Sequence, residues 1–413
     1  MNEFHSGFEL KYKKRLIGGK VKKAIESFPI VVLTGARQVG KSTFLQKEFP
    51  DFKYLNLDEF SVLEQAKLDP YSLWIGTEKV IIDEVQKAPE ILLGIKNTVD
   101  KTQRKVKFIL SGSSNLLLMK EISESLAGRA IYFEMFPMTY QEIKDNLQGE
   151  NNFSRLWQKE PIKEEALEKV NPIPFILKGF MPPLLYIDDL ESILLWWEGY
   201  IKTYLERDLR ELSQIENLID FRKLMEALAP RSGNIVNQTE IARDTGISQP
   251  TVYRYLKLLE VLNIIRKVPA YFSNRLKRVI KSPKIFFIDP ALCAYLLGYH
   301  NEESLNNARE LGNFFETIIF LHLQVYSGLL TPKGKLYYYR STSGKEVDFI
   351  IEWGRKLLAF EVKLTENPTI KDIKNLVDFI EENPNTVRGV LVYNGDSIKY
   401  LHSKVIAIPW WWF

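Results

Sequence analysis

The sequence predicts an α/β fold organised on a parallel sheet, and three observations predict it. Short β-branched or apolar runs alternate with helical patterns through the first third of the chain, as strands joined by crossover helices do. A glycine-rich loop follows the first of those runs. Helix and strand patterns return together from about residue 312. With 413 residues, 45% of them hydrophobic, the chain exceeds one ordinary domain. We expect four parts: a core over 1–140, a helical lid over 141–220, a winged helix-turn-helix over 221–272 and a second α/β domain over 273–413.

Composition narrows the function classes. Fifty-six Lys and Arg against 52 Asp and Glu leave a formal charge of +4, far from the excess of a nucleic-acid coat, so any basic surface must be local. One cysteine, Cys293, excludes an internal disulfide and a Cys-rich zinc site. The opening MNEFHSGFELKYKKRL carries no apolar signal region. The longest charge-free apolar stretch, Phe108 to Met119, is broken by Ser-Gly-Ser-Ser-Asn and is too short to cross a bilayer. These readings lead us to expect a soluble, cytoplasmic protein with no membrane partner.

In chain order, the candidate strands are Ile30–Thr34, Phe52–Asn56, Lys79–Asp83 and Val106–Ser111. From about Tyr140 to Asp220 the pattern turns helical, broken by Pro172, Pro174, Pro182 and Pro183; Trp196 and Trp197 are expected as packing anchors there. The stretch Gly35-Ala36-Arg37-Gln38-Val39-Gly40-Lys41-Ser42, followed by Thr43, matches G-x-x-x-x-G-K-[ST] between a β-branched strand and a helical segment. Glycines there let backbone N–H groups and a helix N-terminus close around phosphate oxygens. Lys41 is expected to bridge the β- and γ-phosphates and Ser42 to hold Mg²⁺. The run Val80-Ile-Ile-Asp83-Glu84 is an apolar strand ending in two carboxylates. Asp83 can hold Mg²⁺ through water, and Glu84 can orient or deprotonate the attacking water. A third strand ends in Ser111-Gly-Ser113-Ser114-Asn115; these residues either reach the γ-phosphate or form an ordinary polar loop.

The phrases GARQVGKST, LNLDE (55–59), IIDEVQ (81–86), SGSSNLL (111–117), ESLAGR (124–129) and TYLERDL (203–209) resemble an archaeal and bacterial family of AAA-type P-loop ATPases ending in a domain of unknown function. The resemblance implies an ATP-binding core with a helical lid and ATP and Mg²⁺ as cofactors. It assigns Lys41 and Ser42 to phosphate and metal, Asp83 to metal, Glu84 to water activation and Ser113 or Ser114 to a sensor position. Arg129 in LAGR is the candidate arginine for transition-state charge, within the chain or from a neighbouring copy in a homo-oligomer; a surface arginine is the alternative. Gln86 matches the family without an independent role.

Residues 238–259 carry a helix-turn-helix pattern. Ile241 and Ala242 pack the first helix, Gly246 turns the chain, and Ser248 caps a second helix whose Val252, Leu256 and Leu259 face inward. Thr251, Arg254 and Lys257 then face outward. VLNIIRKVPAYF reads as a wing strand, and Arg275, Lys277, Arg278 and Lys281 lie beyond it as a phosphate-contacting patch. Such a module reads DNA or packs against a protein partner, and both stay open.

Toward the C-terminus, Leu311–Glu316 opens a helix, residues 337–351 read as two strands around Gly344, and Lys356–Lys363 supplies a third. Alternation puts Glu361 and Lys363 on one face, where Asp348 of the neighbouring strand can meet them. Two carboxylates can hold Mg²⁺ while a lysine positions water for phosphodiester attack. The Asp348, Glu361-x-Lys363 spacing with Glu316 resembles the restriction-endonuclease-like superfamily, which implies a nuclease-like fold. Cleavage and an inert salt-bridge cluster remain alternatives. The final Ile408-Pro-Trp-Trp-Trp-Phe413 reads as a strand tucked into the core, with stacking on bases or a partner as the other reading. The combined expectation is a Mg²⁺-dependent ATPase switch acting on DNA, or on a protein partner with an inert nuclease-like domain.

Overall fold

The computed structural model describes residues 11–112, 126–147, 152–205, 218–272 and 282–413. The chain divides into two compact units. The first comprises residues 1–138, 142–147 and 182–188, and the second the remainder.

The first unit is built on five parallel strands in the order β2-β3-β4-β1-β5, where β1 is Ile30–Gly35, β2 Lys53–Asn56, β3 Lys79–Asp83, β4 Lys107–Ser111 and β5 Ala130–Met135. Every residue of β1 is buried, as expected of a Val/Ile-rich central strand covered on both faces. The helix Ile91–Lys101 turns Ile91, Leu92, Ile95 and Val99 toward the sheet, one stripe at helical spacing. It shares a core with Val80, Ile82, Phe108 and Leu110. Connections leave β1 toward β2 on one side, while β5 lies on its other side. The crevice at the carboxyl end of β1 is therefore the topological switch point, where such sheets receive ligands. Strand β5 is not among the sequence-predicted strands; its residues Ala130, Ile131 and Tyr132 are only partly buried, and the sequence pattern is correspondingly weak.

The second unit holds two sheets. Helices Gln238–Thr245 and Gln249–Val261 accompany an antiparallel three-stranded sheet, β7 (Asn234–Ile235), β9 (Lys284–Phe287) and β8 (Ile265–Val268), with β9 in the middle. A seven-stranded mixed sheet follows the order β10-β11-β12-β13-β15-β14-β6. Its strands are β10 Lys335–Arg340, β11 Glu346–Trp353, β12 Lys356–Lys363, β13 Thr386–Tyr393, β14 Ser397–His402 and β15 Val405–Pro409. The edge strand β6 is Glu165–Ala166, inside the helix-rich segment that precedes this sheet in sequence. Leu376, Phe379 and Ile380 of helix Lys374–Glu382 cover one face with Val347, Ile350 and Leu391. The long helix Leu311–Gly328 is apolar around most of its circumference and stacks Phe320 on Phe286 of β9 at 4.5 Å between ring centres.

The tail belongs to the core. Strand β15 is wholly buried, and Trp410 packs edge-on against Tyr140 and Phe175. Phe413 meets Phe153 and Tyr326. Trp197 is likewise buried and packs on Tyr200.

Candidate active site

Strand β1 delivers the chain into the loop from Gly35 to Gly40. A Cβ on Gly35 would stand 2.3 Å from the Met135 carbonyl oxygen of β5, so only glycine lets the two strands close here. Gln38 and Gly40 both take left-handed backbone, φ 65° and 87°, and Gly40 caps the helix Lys41–Glu48. Left-handed turns leading into a helix N-terminus gather N–H groups into an anion-binding concavity. Ala36 and Val39 are buried, Arg37 and Ser42 half-buried, and Thr43 exposed. The buried Lys41 ammonium donates to the carbonyls of Gly35 (3.0 Å) and Ala36 (2.9 Å), so the loop itself holds the lysine over its own backbone.

One residue behind this loop escapes sequence reasoning. Arg15 is buried, and its guanidinium donates to the Val39 carbonyl at 2.8 Å, the Phe136 carbonyl at 2.6 Å and Glu142 Oε1 at 3.1 Å. Glu142 Oε1 also accepts the Leu16 N–H at 2.8 Å. In sequence Arg15 is one of several cations in KYKKR, with nothing to set it apart.

At the carboxyl ends of the neighbouring strands, β2 and β3 align Asn56 with Asp83, and β3 and β4 align Ile82 with Leu110. That register brings three polar side chains together. Tyr54 donates its hydroxyl to Asp83 Oδ2 at 2.5 Å, Ser111 Oγ donates to Oδ1, and the Glu84 N–H donates to Oδ1 at 3.0 Å. Burial, reinforced by the Asp83 carboxylate, pushes the Tyr54 phenol above its ordinary pKa, and Tyr54 also neighbours Ser42. The described donors to Asp83 are two hydroxyls and a backbone N–H. Ser42 and Asp83 therefore fit Mg²⁺: hard oxygen donors, few in number, leaving coordination positions to phosphate and water. Bound there, the ion would neutralise developing phosphate charge.

Glu84 holds left-handed backbone, φ 56°, which costs a residue with a Cβ roughly 1–2 kcal/mol and turns its side chain out of the strand direction. Burial raises its carboxyl pKa, Lys41 lowers it, and Asp83 raises it. A raised carboxylate suits a general base. Gln86, whose role the sequence leaves open, donates through Nε2 to Glu84 Oε2 and so orients it. Ser113 and Ser114 lie outside the described residues.

Comparison with known proteins agrees with this geometry. Residues 27–144 match the model of an AAA domain. Residues 173–303 and 311–413 match two domains of unknown function, DUF8612 and DUF4143. The first unit thus carries a domain of the AAA type. An uncharacterized protein of Mycobacterium tuberculosis is 29% identical over 401 residues, 96% of this chain and 83% of its own length. An uncharacterized protein of Methanocaldococcus jannaschii is 26% identical over 445 residues, 98% of this chain and 92% of its own. Among solved structures, the Walker-type ATPase of Pyrococcus abyssi is similar at 17% identity and a TM-score of 0.45, over 70% of this chain and 99% of that one.

Arg129 does not reach the phosphate site of its own ATPase domain, which corrects one branch of the expectation. It immediately precedes β5, whose Ala130 pairs with Ile30 while Met135 pairs with Gly35. Six residue steps, about 20 Å at 3.3 Å each, separate its level from the loop. Its guanidinium instead makes a two-pronged pair with Asp100, at 2.7 and 2.8 Å, on the amino-terminal side of the sheet.

In the second unit, Gly246 turns with φ 70° and Ser248 Oγ accepts the Thr251 N–H at 3.4 Å. Val252, Leu256 and Leu259 are buried, as is Tyr255. Arg254 and Lys257 are exposed and Thr251 half-buried. Lys257 Nζ stands 4.5 Å from the ring centre of the exposed Tyr253. Arg275, Lys277 and Arg278, with Lys281, lie outside the described residues.

Glu316, Asp348, Glu361 and Lys363 come together at the C-terminal sheet. Asp348 Oδ2 accepts the Val362 N–H at 2.8 Å, and Lys363 Nζ donates to Glu361 Oε1 at 2.7 Å. Burial first, then the other carboxylates, push Glu316 and Glu361 up to about 8; burial also raises Asp348. Sequence reasoning missed two further members. Lys284 of β9 places Nζ 3.2 Å from Glu316 Oε1, 2.6 Å from Glu346 Oε1 and 3.9 Å from Asp348 Oδ1. Among the described residues no group of three or more His, Cys, Asp or Glu could hold a metal ion. Of the carboxylates expected for Mg²⁺ here, Glu316 and Asp348 thus face the Lys284 ammonium, while Glu361 is paired with Lys363. Nor is any helix of the described residues long and apolar enough to cross a membrane.

Proposed function

We propose that this chain is an Mg²⁺-dependent ATP-hydrolysing switch whose nucleotide state governs DNA held by a winged helix-turn-helix. The observation that carries it is the grouping of Lys41, Asp83 and Glu84 beside the loop at the carboxyl ends of β1 and β3, close enough for Lys41 and Asp83 to act on the Glu84 carboxyl. In this reading ATP draws Lys41 off the Gly35 and Ala36 carbonyls onto its phosphates, Ser42 and Asp83 take the metal, and Glu84 removes a proton from the attacking water. A contact made with the γ-phosphate and lost with ADP is what lets hydrolysis shift a conformational equilibrium.

Helices Gln238–Thr245 and Gln249–Val261 with the β8–β9 hairpin support the winged-helix reading. The outward face of the second helix presents Tyr253, Arg254 and Lys257, a stacking ring and two cations suited to a phosphate backbone. The strand and helix order around Asp348 and Glu361 supports a restriction-endonuclease-like fold for the C-terminal domain. A protein partner is the second reading, favoured by charge pairing: Lys267 is engaged by Glu260 at 2.7 Å and Arg231 by Asp244 at 2.5 Å, which leaves this module less cationic than its residue count.

The test is steady-state ATP hydrolysis with and without duplex DNA, on wild type and on Arg254→Glu/Lys257→Glu, with gel-shift binding at two salt concentrations. Stimulation by DNA that the charge reversal abolishes supports the DNA reading. Hydrolysis indifferent to DNA, with no shift at low salt, replaces DNA by the protein partner.

A further inference from the structure

We propose that Lys284 is the resident cation of the C-terminal carboxylate cluster, seated where a divalent ion would bridge Glu316 and Asp348, so that these carboxylates hold no metal and cut no phosphodiester. Three features of the geometry lead there. Lys284 is buried, with a side chain 4% exposed, and its ammonium faces Glu316, Glu346 and Asp348 together. The Tyr338 ring, 5.8 Å from Nζ, backs the same charge, and Tyr338 is itself anchored through its hydroxyl to the Ser282 carbonyl at 2.7 Å. Finally, Glu361 Oε2 is buried with no hydrogen-bond partner, so this oxygen is served by neither lysine.

A divalent ion ligated by Glu316 and Asp348 would lie at about 2.0–2.6 Å from their oxygens, in the space the ammonium uses and against its charge. The two cations exclude one another. Lysine also answers the electrostatic problem differently from a metal. An ammonium donates three hydrogen bonds, but it neither lowers the pKa of a bound water nor offers an open coordination position. What it does is mechanical. Lys284 belongs to the central strand of the β7-β9-β8 sheet, whereas Glu346 and Asp348 lie on β11 and Glu316 on the long helix. Its ion pairs fasten the hairpin of the helix-turn-helix to the C-terminal sheet, alongside the backbone link from the Tyr271 N–H to the Tyr338 carbonyl at 2.6 Å and from the Tyr338 N–H to the Pro269 carbonyl at 3.0 Å. The unpartnered Glu361 Oε2 implies the converse: with the ammonium removed, Glu316, Asp348 and Glu361 become free to take a metal.

The experiment uses the full chain without nucleotide and Mn²⁺ as the probe. Mn²⁺ binding is followed by electron paramagnetic resonance, and melting temperature is measured with and without Mn²⁺. The proteins are wild type, Asp348→Asn, Lys284→Met and Lys284→Met/Asp348→Asn. Wild type and Asp348→Asn should bind Mn²⁺ equally and leave supercoiled plasmid uncut. Lys284→Met should gain one Mn²⁺ per chain and melt higher in its presence, and Asp348→Asn should remove both gains. Mn²⁺ bound by wild type and lost in Asp348→Asn overturns the proposal, as does a folded Lys284→Met that gains none. If Lys284→Met does not fold, the comparison of wild type with Asp348→Asn still decides, because an Asp348-dependent metal in wild type cannot share the site with Lys284.

Discussion

Replacing Glu84 with glutamine separates catalysis from binding at the phosphate site. Glutamine keeps the size of the side chain and can still meet Gln86, whose Nε2 donates to Glu84 Oε2, but it can take no proton. General-base catalysis contributes about 10²–10⁴-fold, so kcat should fall by that factor, about 2.7–5.5 kcal/mol of barrier at 1.36 kcal/mol per tenfold. Affinity should move the other way or not at all. Glu84 lies in the field of Lys41 and beside Asp83, so deleting its charge removes repulsion toward a polyphosphate. The pH profile adds a second signature. Burial holds the Glu84 pKa above the ordinary carboxylate value, and a base must be deprotonated to act. The acid limb of kcat/KM in wild type should therefore lie above the usual carboxylate range, with activity lost as pH falls through it, and Glu84→Gln should lack that limb. Single-turnover hydrolysis of labelled ATP, with filter binding on the same samples, reads both quantities. A variant that turns over at the wild-type rate with the same acid limb refutes the base assignment.

Three further predictions follow from neighbouring contacts. Arg15→Met takes the guanidinium from the buried Glu142 carboxylate; breaking one half of a buried pair costs about 3–5 kcal/mol, measurable as a lower urea midpoint. Because the Val39 carbonyl also loses its donor, KM for ATP should rise, and an unchanged KM would reduce Arg15 to a fold anchor. Arg129→Ala should leave kcat of the dilute chain within about twofold, since a transition-state arginine is worth about 10³–10⁵; a large loss confined to concentrations at which the chain self-associates would give Arg129 a role across an interface. Asp289 accepts the Phe180 and Ala291 N–H groups at 2.7 and 2.9 Å, and burial pushes its carboxyl up to about 7. The folded state then holds a proton that the unfolded state has released, so this residue's contribution is present below about pH 4 and is lost as pH rises toward 7. Asp289→Asn should flatten that part of the stability profile, and an unchanged slope would place the titration elsewhere.

What the sequence made legible was local, and what it hid was assembled from distant segments. The four predicted strands of the first sheet stand within a residue of the observed ones; for β1, β3 and β4, apolar runs buried on both faces leave a strong pattern. The loop at Gly35–Ser42 and the carboxylates after β3 could be read because their chemistry is written in consecutive residues. Strand β6 is two residues long and carries no period to detect. Strand β9 reads KIFF, too short to tell from a helix turn by pattern alone. Tyr54 sits in a recognised strand, yet its role depends on the β2–β3 register, which brings it to Asp83. Arg15 and Glu142 meet across most of the first unit's sequence, and no spacing rule anticipates the pair.

The two carboxylate motifs show why residue type and spacing do not settle chemistry. Asp83 and Asp348 both lie on sheet strands with a glutamate nearby and a lysine within reach, and both invite a metal reading. At Asp83 the described donors to the carboxylate are hydroxyls and a backbone N–H, which orient it and bring no cation with them. Lys41 donates to two carbonyls of its own loop. At Asp348 one oxygen is used by the Val362 N–H and the other faces an ammonium delivered by a strand from a different sheet. The carboxylate's capacity for a cation is taken before any ion arrives. The difference lies in the partner that the fold supplies, and at Asp348 that partner is a lysine no motif contains. A chain of this kind can keep every residue of a nuclease-like signature while a single residue outside it decides that the signature serves cohesion, which Lys284→Met is designed to reverse.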